Sequence, residues 1–179
     1  DFYLRGPRTP FPLGQIQAQG RTHGVMAQTA YPWIPLWPYE QWVARGVDWL
    51  AMSEDLPRPE NGVTIAPDGR IRLAYRPNNL RPHRMLVRET KRILRRLGFW
   101  VVMTHSHGRT NTTHQCGTLC FGTDPRASVL DPFCRTHDVE NLFVVDASFF
   151  PSSAAVNPGL TIAAQALRTA DHIIDTELS

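Results

Sequence analysis

A strand–turn–strand pattern followed by a long amphipathic helix constrains the fold of this chain more than any other segment. Apolar residues alternate over residues 61–65 and 71–75, on either side of Pro67-Asp68-Gly69. Alternation around an Asp-Gly pair is typical of a β-hairpin, because the glycine adopts the backbone conformation that a tight turn requires. The segment therefore predicts two antiparallel strands.

An amphipathic helix is predicted over residues 79–97, directly after the hairpin, and Gly98 follows at the usual position for a helix C terminus. The apolar stripe of this helix comprises Leu80, Leu86, Val87, Ile93, Leu94 and Leu97. Its basic residues are Arg81, Arg84, Arg88, Lys91, Arg92, Arg95 and Arg96. The net charge of +3 is small, and no aromatic stacking motif lies inside the cluster. We interpret the cluster as a solvated helix face rather than a nucleic-acid-binding surface.

The first 40 residues predict short elements only. They contain aromatic residues and the prolines Pro7, Pro10, Pro12, Pro32, Pro35 and Pro38. Proline lacks a backbone donor and fixes its own backbone angle, so long regular elements are excluded there. Short strands or turns are predicted at residues 2–4, 15–18 and 24–27. This part of the chain is either an ordered wall around a pocket or a linker.

The other elements follow from local apolar patterns. We predict a short helix over residues 39–50, a strand over 48–55, and strands at 99–103, 128–131 and 142–145, the last of them buried. A final helix is predicted over 158–176, with Ile162, Ala163, Ala166, Leu167, Ala170, Ile173 and Ile174 facing a core. Helices on one side of an antiparallel sheet indicate an α+β fold.

Composition excludes several classes of protein. Hydrophobic residues make up 42% and charged residues 20% of the 179 residues, as in ordinary globular proteins. No run of 18 apolar residues and no signal peptide is visible, so we expect a soluble protein, with the cytoplasm and the periplasm both left open as its compartment. Three cysteines cannot all pair, which argues against a disulfide-built fold. The start at Asp1 without a methionine predicts processing or a missing upstream segment.

His114 and Asn157 are the strongest candidates for chemistry. His114 lies in Thr113-His114-Gln115-Cys116-Gly117-Thr118, and a histidine suits proton transfer near neutral pH. Asn157 precedes Pro158, and this pair predicts a helix start, which attracts negative charge. Together they predict a site that takes a proton from an alcohol while an electron-poor cofactor takes the hydride. The simpler interpretation is a structural histidine and an asparagine that caps the helix from its N-cap position.

Two further questions stay open at this point. The first concerns Asp146, which follows the apolar segment 142–145 and either hydrogen-bonds a cofactor or caps the turn that comes next. The second question is whether Cys116 and Cys120, close in sequence to His114, form a four-ligand zinc site with Cys134 and His137. The two halves of that set flank a short strand rather than a zinc ribbon, so we favour a site without metal. His105 and His107 lie in no strong motif.

Residues 114–173 resemble the C-terminal part of the glucose–methanol–choline (GMC) family of flavin oxidoreductases. The resemblance is carried by HQCGTLCFG, by Val-Val-Asp-Ala-Ser at residues 144–148 and by Asn157-Pro158-Gly159-Leu160-Thr161, in that order. Residues 48–103 are similar to the substrate domain of that family. The phosphate-binding loop Gly-x-Gly-x-x-Gly of the family's dinucleotide unit is absent from this sequence.

The resemblance implies a role for each matching residue. His114 corresponds to the catalytic histidine that takes the hydroxyl proton, and Asn157 to the second catalytic residue. Contacts to the cofactor, FAD, are implied for Asp146, Ala147, Asn157, Pro158 and Thr161. The implied partners are a small alcohol or sugar substrate and an N-terminal FAD-binding segment or chain that carries the Gly-rich loop.

The resemblance also implies a division of the chain. Residues 1–105 are expected to be part of a substrate-binding domain with an antiparallel sheet and helices. Residues 106–179 are expected to return to an FAD-binding, Rossmann-like domain. The expected activity is oxidation of a CH–OH group by proton abstraction and hydride transfer to flavin. The alternatives are a catalytically silent structural or interaction fragment and a zinc-stabilised binding module.

Overall fold

The chain adopts an α+β fold in a computed structural model, which describes residues 11–21, 32–33, 35–106 and 113–178. The described residues form two separate two-stranded antiparallel sheets and three α-helices. They belong to two compact units, Asp1–Ser53 with Arg81–Trp100, and Glu54–Leu80 with Val101–Ser179. The predicted strands at residues 2–4 and 24–27, and His107, lie outside the described residues.

The sheet of the first unit pairs β1 (Gln15–Gly20) with β2 (Asp48–Met52), in a register that aligns Gln15 with Met52. Gly14 precedes β1 with a φ of +129°, and a Cβ atom there would lie 2.0 Å from the carbonyl oxygen of Met52. Only glycine allows this close approach of two backbones. β2 ends at Met52 rather than at the predicted residue 55.

Helix α1 (Leu36–Val43) lies between these strands in sequence and begins earlier than predicted. Pro38 falls in its first turn, where the missing backbone N–H needs no acceptor, so this proline does not break the helix. The helix ends before Gly46 because the chain must turn into β2. The predicted helix over residues 39–50 was therefore right in type and wrong in its bounds.

Helix α2 (Leu80–Arg96) confirms the amphipathic helix predicted over residues 79–97. Leu86, Thr90 and Leu94 are its buried residues, and the Thr90 hydroxyl donates to the carbonyl of Leu86 at 2.8 Å. The end of the helix is closed by Gly98, which has a φ of +93° and donates to the carbonyl of Arg95. Leu80 and Leu97 are exposed, so the buried stripe is narrower than predicted.

The second unit contains the predicted hairpin, formed by β3 (Gly62–Ile65) and β4 (Ile71–Ala74). The amide of Gly69 donates to the carbonyl of Ala66 at 2.8 Å, which closes the turn, and Gly69 has a φ of +79°. The hairpin has no buried apolar face among the described residues. Its exposed apolar side chains are Val63, Ile65, Ile71 and Leu73.

A small core occupies the C-terminal part of the second unit. Leu130, Cys134 and Phe149 are buried together, and Phe149 belongs to a short 3₁₀ helix, Ala147–Phe149. Helix α3 (Gly159–Glu177) lies against this region: its Thr169 hydroxyl donates to the carbonyl of Phe133, and the Gln165 amide contacts the Cys134 sulfur at 3.2 Å. Two polar side chains of α3 therefore bind groups of this core region.

Three predicted strands are not strands in the structure. Residues 99–103 have no ladder partner, and the Trp100 side chain is 94% exposed. Residues 128–131 and 142–145 contribute only isolated bridges, such as Leu130 with Thr136 and Arg135 with Phe143. Leu142 and Val145 are exposed, so the prediction of a buried strand there was wrong. Short apolar runs predict a strand correctly only where a partner strand lies alongside.

The apolar stripe of α3 is also largely uncovered. Ile162, Ala166 and Ile173 are half-buried, but Leu160 is 89% and Leu167 is 68% exposed. The side chains predicted to face a core are thus exposed for part of the helix, because no described residue covers them. No helix in the described ranges has the length and apolarity that a membrane crossing requires.

Candidate active site

His114 lies in a tight turn that needs a left-handed backbone. Its φ is +61°, and three residues later Gly117 has a φ of +83°. Histidine is one of the few non-glycine residue types enriched in this conformation, which is still less favourable than the right-handed one. The His114 side chain is half-buried. A residue kept in such a conformation is fixed by its surroundings, as is common at functional sites.

The segment that follows His114 is hydrogen-bonded to the segment 148–153. The amide of Leu119 donates to the carbonyl of Ser148 at 3.1 Å, and the Cys120 thiol donates to the carbonyl of Phe150 at 3.4 Å. A Cβ atom on Gly117 would lie 3.4 Å from the same Phe150 oxygen. These contacts fix the turn of His114 against the part of the chain that runs on to Asn157.

Asp146 and Ala147 form the beginning of the 3₁₀ helix. The Asp146 carboxylate accepts hydrogen bonds from the amide of Ser148 at 2.8 Å and from the Ser148 hydroxyl. These bonds lower the pKa of Asp146 below its usual range, the hydroxyl contributing most. Asp146 therefore remains an ionised acceptor at neutral pH, and it caps the turn that follows it.

The start of α3 differs from the prediction for Asn157. The helix begins at Gly159, and Pro158, which occupies the N-cap position, supplies no side-chain cap. Asn157 lies one residue before the N-cap, so its predicted position as the N-cap residue was wrong. Asn157 is exposed.

The first turn of α3 carries no acidic residue and no side-chain cap. Its backbone N–H groups at Gly159, Leu160 and Thr161 have no acceptor within the helix, and the helix dipole adds partial positive charge there. Thr161 is exposed, and a Cβ atom on Gly159 would meet nothing within 4 Å. This helix end favours an electron-rich or anionic group.

A polar cluster that the sequence analysis missed lies beside these segments. Asp55 pairs with Ser153 in an isolated antiparallel bridge, and the Tyr75 hydroxyl donates to Asp55 Oδ2 at 3.0 Å. Asp55 Oδ1 is buried and accepts no hydrogen bond from any described residue. No local pattern could have identified Asp55, because its partner is remote in sequence.

The three cysteines are free thiols, each in a different environment. Burial raises the pKa of Cys116, and a hydrogen bond with the Ser153 side chain partly offsets this effect. Cys134 belongs to the core, whereas Cys120 bonds to backbone oxygens.

The zinc interpretation gains no support from these surroundings. No three His, Cys, Asp or Glu side chains in the described part of the chain are grouped so that they could hold a metal ion. His137 Nε2 lies 3.1 Å from the Ser128 hydroxyl and 3.2 Å from the Gly122 carbonyl, so its ring contacts these protein groups.

An open cavity of about 500 Å³ lies at the end of the hairpin in the second unit. It is lined by Glu60, Leu73, Ala74, Tyr75 and Arg76. The residues predicted for the site do not line it. We predict that the His114 and Asn157 side chains lie within about 8 Å of each other, so that both can reach one substrate hydroxyl. The structure shows hydrogen bonds between the segments that neighbour these two residues.

Comparison with known proteins gives a family for most of the chain. Residues 57–166 match the model of the GMC oxidoreductase family. This match includes His114, Asp146, Ala147, Asn157, Pro158 and Thr161, as well as the hairpin and α2.

Several curated proteins are similar to the chain over shorter or longer stretches. The fructose dehydrogenase large subunit of Gluconobacter japonicus is 34% identical over 142 residues, which cover 74% of this chain and 26% of that protein. The 2-methyl-1,2-propanediol dehydrogenase of Mycolicibacterium austroafricanum is 36% identical over 133 residues, or 68% of this chain and 24% of the relative.

A third relative is the 6'''-hydroxyparomomycin C oxidase of Streptomyces lividus, with 38% identity over 94 residues, which cover 52% of this chain and 17% of that protein. In all three alignments the matched residues make up about a quarter of the relative's length or less.

Proposed function

The chain belongs to the GMC oxidoreductase family, and we propose that it acts as the C-terminal part of an FAD-dependent enzyme that oxidises the CH–OH group of an alcohol or sugar. Support comes from the family match and from relatives named for such substrates, a fructose dehydrogenase and a propanediol dehydrogenase.

One observation carries the proposal. The turn of His114 is hydrogen-bonded through Leu119 and Cys120 to the segment 148–153, and that segment leads within a few residues to Asn157. A proton acceptor and a hydroxyl-orienting amide therefore belong to two segments that are fixed to each other. Fixed geometry of this kind is what positions a reacting group for proton transfer.

The residues at the start of α3 fit a flavin. The uncapped N–H groups of the first turn, together with the exposed Asn157 and Thr161 and the half-buried Pro158, favour an electron-rich ring edge. Asp146, held ionised by Ser148, and Ala147 supply polar contact on the preceding turn. When bound, the flavin supplies the acceptor for the hydride and so carries the redox chemistry.

The residues of this chain handle the proton and the orientation of the substrate. His114 accepts the proton of the substrate hydroxyl at an imidazole nitrogen, while the C–H bond of the carbon that bears this hydroxyl breaks. Asn157 orients that hydroxyl by a hydrogen bond from its side-chain amide. A positioned general base of this kind contributes about 10²–10⁴ in rate.

We propose that an N-terminal FAD-binding segment or chain completes the enzyme. Two observations support this partner: the chain spans about a quarter of its relatives or less, and α3 exposes Leu160 and Leu167. In this proposal residues 1–105 contribute to the substrate domain and residues 106–179 to the FAD-binding domain.

Replacement of His114 by alanine in the flavin-loaded protein tests the function. Anaerobic stopped-flow mixing with an alcohol or sugar that reduces the wild-type flavin should show reduction slowed by about 10²–10⁴-fold. Flavin content, read from the absorbance of the purified protein, should stay near that of wild type, because the imidazole contacts the substrate. Reduction at the wild-type rate across the pH range would rule out His114 as the base.

The catalytically silent fragment is the competing interpretation, and the same preparation decides it. A wild-type protein that is purified with its partner segment and shows no flavin absorbance would favour that interpretation.

A further inference from the structure

A short antiparallel bridge joins residues 54–55 to residues 152–153 within the second unit. The amide of Asp55 donates to the carbonyl of Ser153 at 3.0 Å, and the amide of Ser153 donates to the carbonyl of Asp55 at 3.1 Å. The Ser152 hydroxyl also donates to Glu54 Oε1 at 2.7 Å. These hydrogen bonds fix two short segments that are remote in sequence.

The side chain of Asp55 extends this bridge to the hairpin. Its Oδ2 atom accepts a hydrogen bond from the hydroxyl of Tyr75, the residue that directly follows β4. A carboxylate acceptor strengthens such a bond relative to a neutral one. Asp55 therefore connects the end of the hairpin to the segment that contains Ser153.

Ser153 lies between Asp55 and the turn of His114. Its side chain is close enough to Cys116, two residues after His114, to lower the pKa of that thiol and partly offset the effect of burial. The neighbouring residues of the same segment, Ser148 and Phe150, accept hydrogen bonds from Leu119 and Cys120. The segment 148–153 is consequently held on one side by Asp55 and on the other side by the turn of His114.

We propose that Asp55 is a positioning residue for the oxidation: its carboxylate binds Tyr75 and thereby fixes the backbone bridge to Ser153, so that the His114 turn and the start of α3 present His114 and Asn157 to the same hydroxyl. The inference rests on the proposed function, since it concerns the geometry of that pair. Asp55 itself does not touch the substrate.

Three substitutions in the flavin-loaded protein test the proposal: Asp55→Ala, Asp55→Asn and Tyr75→Phe. Asp55→Ala should slow flavin reduction at saturating alcohol by about 10–100-fold with little change in KM, because a small misplacement of a reacting group is costly. Tyr75→Phe removes one hydroxyl and should slow it in the same direction, by about 3–10-fold. Asp55→Asn keeps an acceptor for Tyr75 and should reduce its flavin within about threefold of the wild-type rate.

Amide hydrogen exchange of the same proteins gives a readout that does not depend on turnover. Peptides that cover residues 113–120 and 150–157 should exchange faster in Asp55→Ala and Tyr75→Phe than in wild type. Asn61→Ala is the matched control, because Asn61 bonds twice to Arg76 beside the same hairpin and lies outside the bridge. It should lower Tm and leave both the rate and the two peptides unchanged.

The outcomes separate this inference from the proposed function. Asp55→Ala and Tyr75→Phe proteins that lose thermal stability but keep wild-type reduction and exchange would overturn the positioning role, as would an Asp55→Asn protein as slow as Asp55→Ala. If Asp55→Ala does not fold, Tyr75→Phe decides. A His114→Ala protein with full activity would instead refute the proposed function, whatever the Asp55 variants do.

Discussion

At the scale of single residues, backbone conformation accounts for the shape of the His114 turn. His114 and Gly117 both have positive φ values, yet only the second is a glycine. A side chain in this conformation costs about 1–2 kcal/mol, which the hydrogen bonds of Leu119 and Cys120 to the neighbouring segment help to offset. The turn therefore depends on its contacts as much as on its sequence.

Substitution of Gly117 by alanine should damage both stability and activity. The new Cβ atom would be held at φ +83° and would lie 3.4 Å from the Phe150 oxygen. We expect a loss of about 1–2 kcal/mol in the free energy of unfolding, measured by denaturant titration, together with slower flavin reduction.

The matched control is Gly69→Ala. Gly69 has a similar φ of +79° in the hairpin turn, but a Cβ atom there would meet nothing within 4 Å. The substitution should cost similar stability and leave flavin reduction unchanged. Equal effects of the two substitutions on the rate would show that the packing of Gly117 on Phe150 has no part in activity.

Asn157→Ala should separate catalysis from helix capping. Because the N-cap of α3 is Pro158 and Asn157 lies one residue before it, the substitution leaves the N-cap residue in place and should destabilise the protein by less than the roughly 1 kcal/mol that a lost N-cap costs. It should still slow flavin reduction by about 10–100-fold, since the orienting amide is lost. Thermal unfolding and stopped-flow reduction of the same preparation measure both quantities.

A destabilised Asn157→Ala protein with an unchanged rate would reverse this assignment. Asp131→Ala provides the reference for a lost cap, because Asp131 accepts hydrogen bonds from the amides of Phe133 and Arg135.

The candidate site residues that could be named from the sequence belong to local motifs. His114, Asp146 and Asn157 follow from short patterns, and their roles stay predictions. Asp55 is recognised only through its bridge to Ser153, and no periodicity or turn signal encodes a pairing across such a distance in sequence.

At the scale of secondary structure, the elements predicted best were those with a clear hydrophobic period and a turn or glycine that marks an end. The hairpin and helices α2 and α3 agree with the structure to within one or two residues, because each has a clear period and a turn or glycine at its end. The runs at 99–103 and 142–145 failed because an apolar run does not supply a pairing partner. An apolar segment without such a partner leaves its side chains exposed, as Trp100 and Leu142 are.

Acid should weaken the attachment of α2 within the first unit. His83 lies on this helix with Nδ1 3.0 Å from the Ser53 hydroxyl, and burial lowers the pKa of His83 below its usual value near 6.5. A lowered folded-state pKa stabilises the fold above pH 6.5, and this contribution is lost as the pH falls through the folded-state value. Exchange protection of α2 should therefore decrease between pH 7.5 and about pH 5.

His83→Gln retains a polar side chain without a charge and should flatten this pH dependence. His105→Gln, at an exposed position, serves as the control and should leave the dependence as in wild type. If the pH dependence of exchange protection in α2 is the same in His83→Gln as in wild type, groups other than His83 cause the acid sensitivity.

At the scale of the whole molecule, large apolar side chains of the described residues remain exposed on two elements of the second unit. Helix α3 buries Thr169 and exposes Leu160, Leu167 and Ile174, and the hairpin exposes four aliphatic side chains. Burial of such surface contributes about 25 cal/mol per Å², so a chain that leaves it in water forgoes a large stabilisation. The proposed FAD-binding partner is the natural cover for α3, because the start of the same helix supplies the proposed flavin contacts.

A charge on the exposed stripe of α3 tests that arrangement. Leu167→Glu changes a side chain that is 68% exposed in this chain, so it should leave the fold of the two units intact. If the partner buries Leu167, the buried carboxylate would be costly, and the assembled protein should lose FAD and partner association together. Thr176→Glu introduces the same charge on the same helix at an exposed position near its end and should retain both. Size-exclusion chromatography with the flavin absorbance recorded across the elution profile measures the two losses at once. If the Leu167→Glu protein keeps both its flavin and its partner, the apolar stripe of α3 is exposed to solvent in the assembled protein. The FAD-binding part would then contact another surface of this chain.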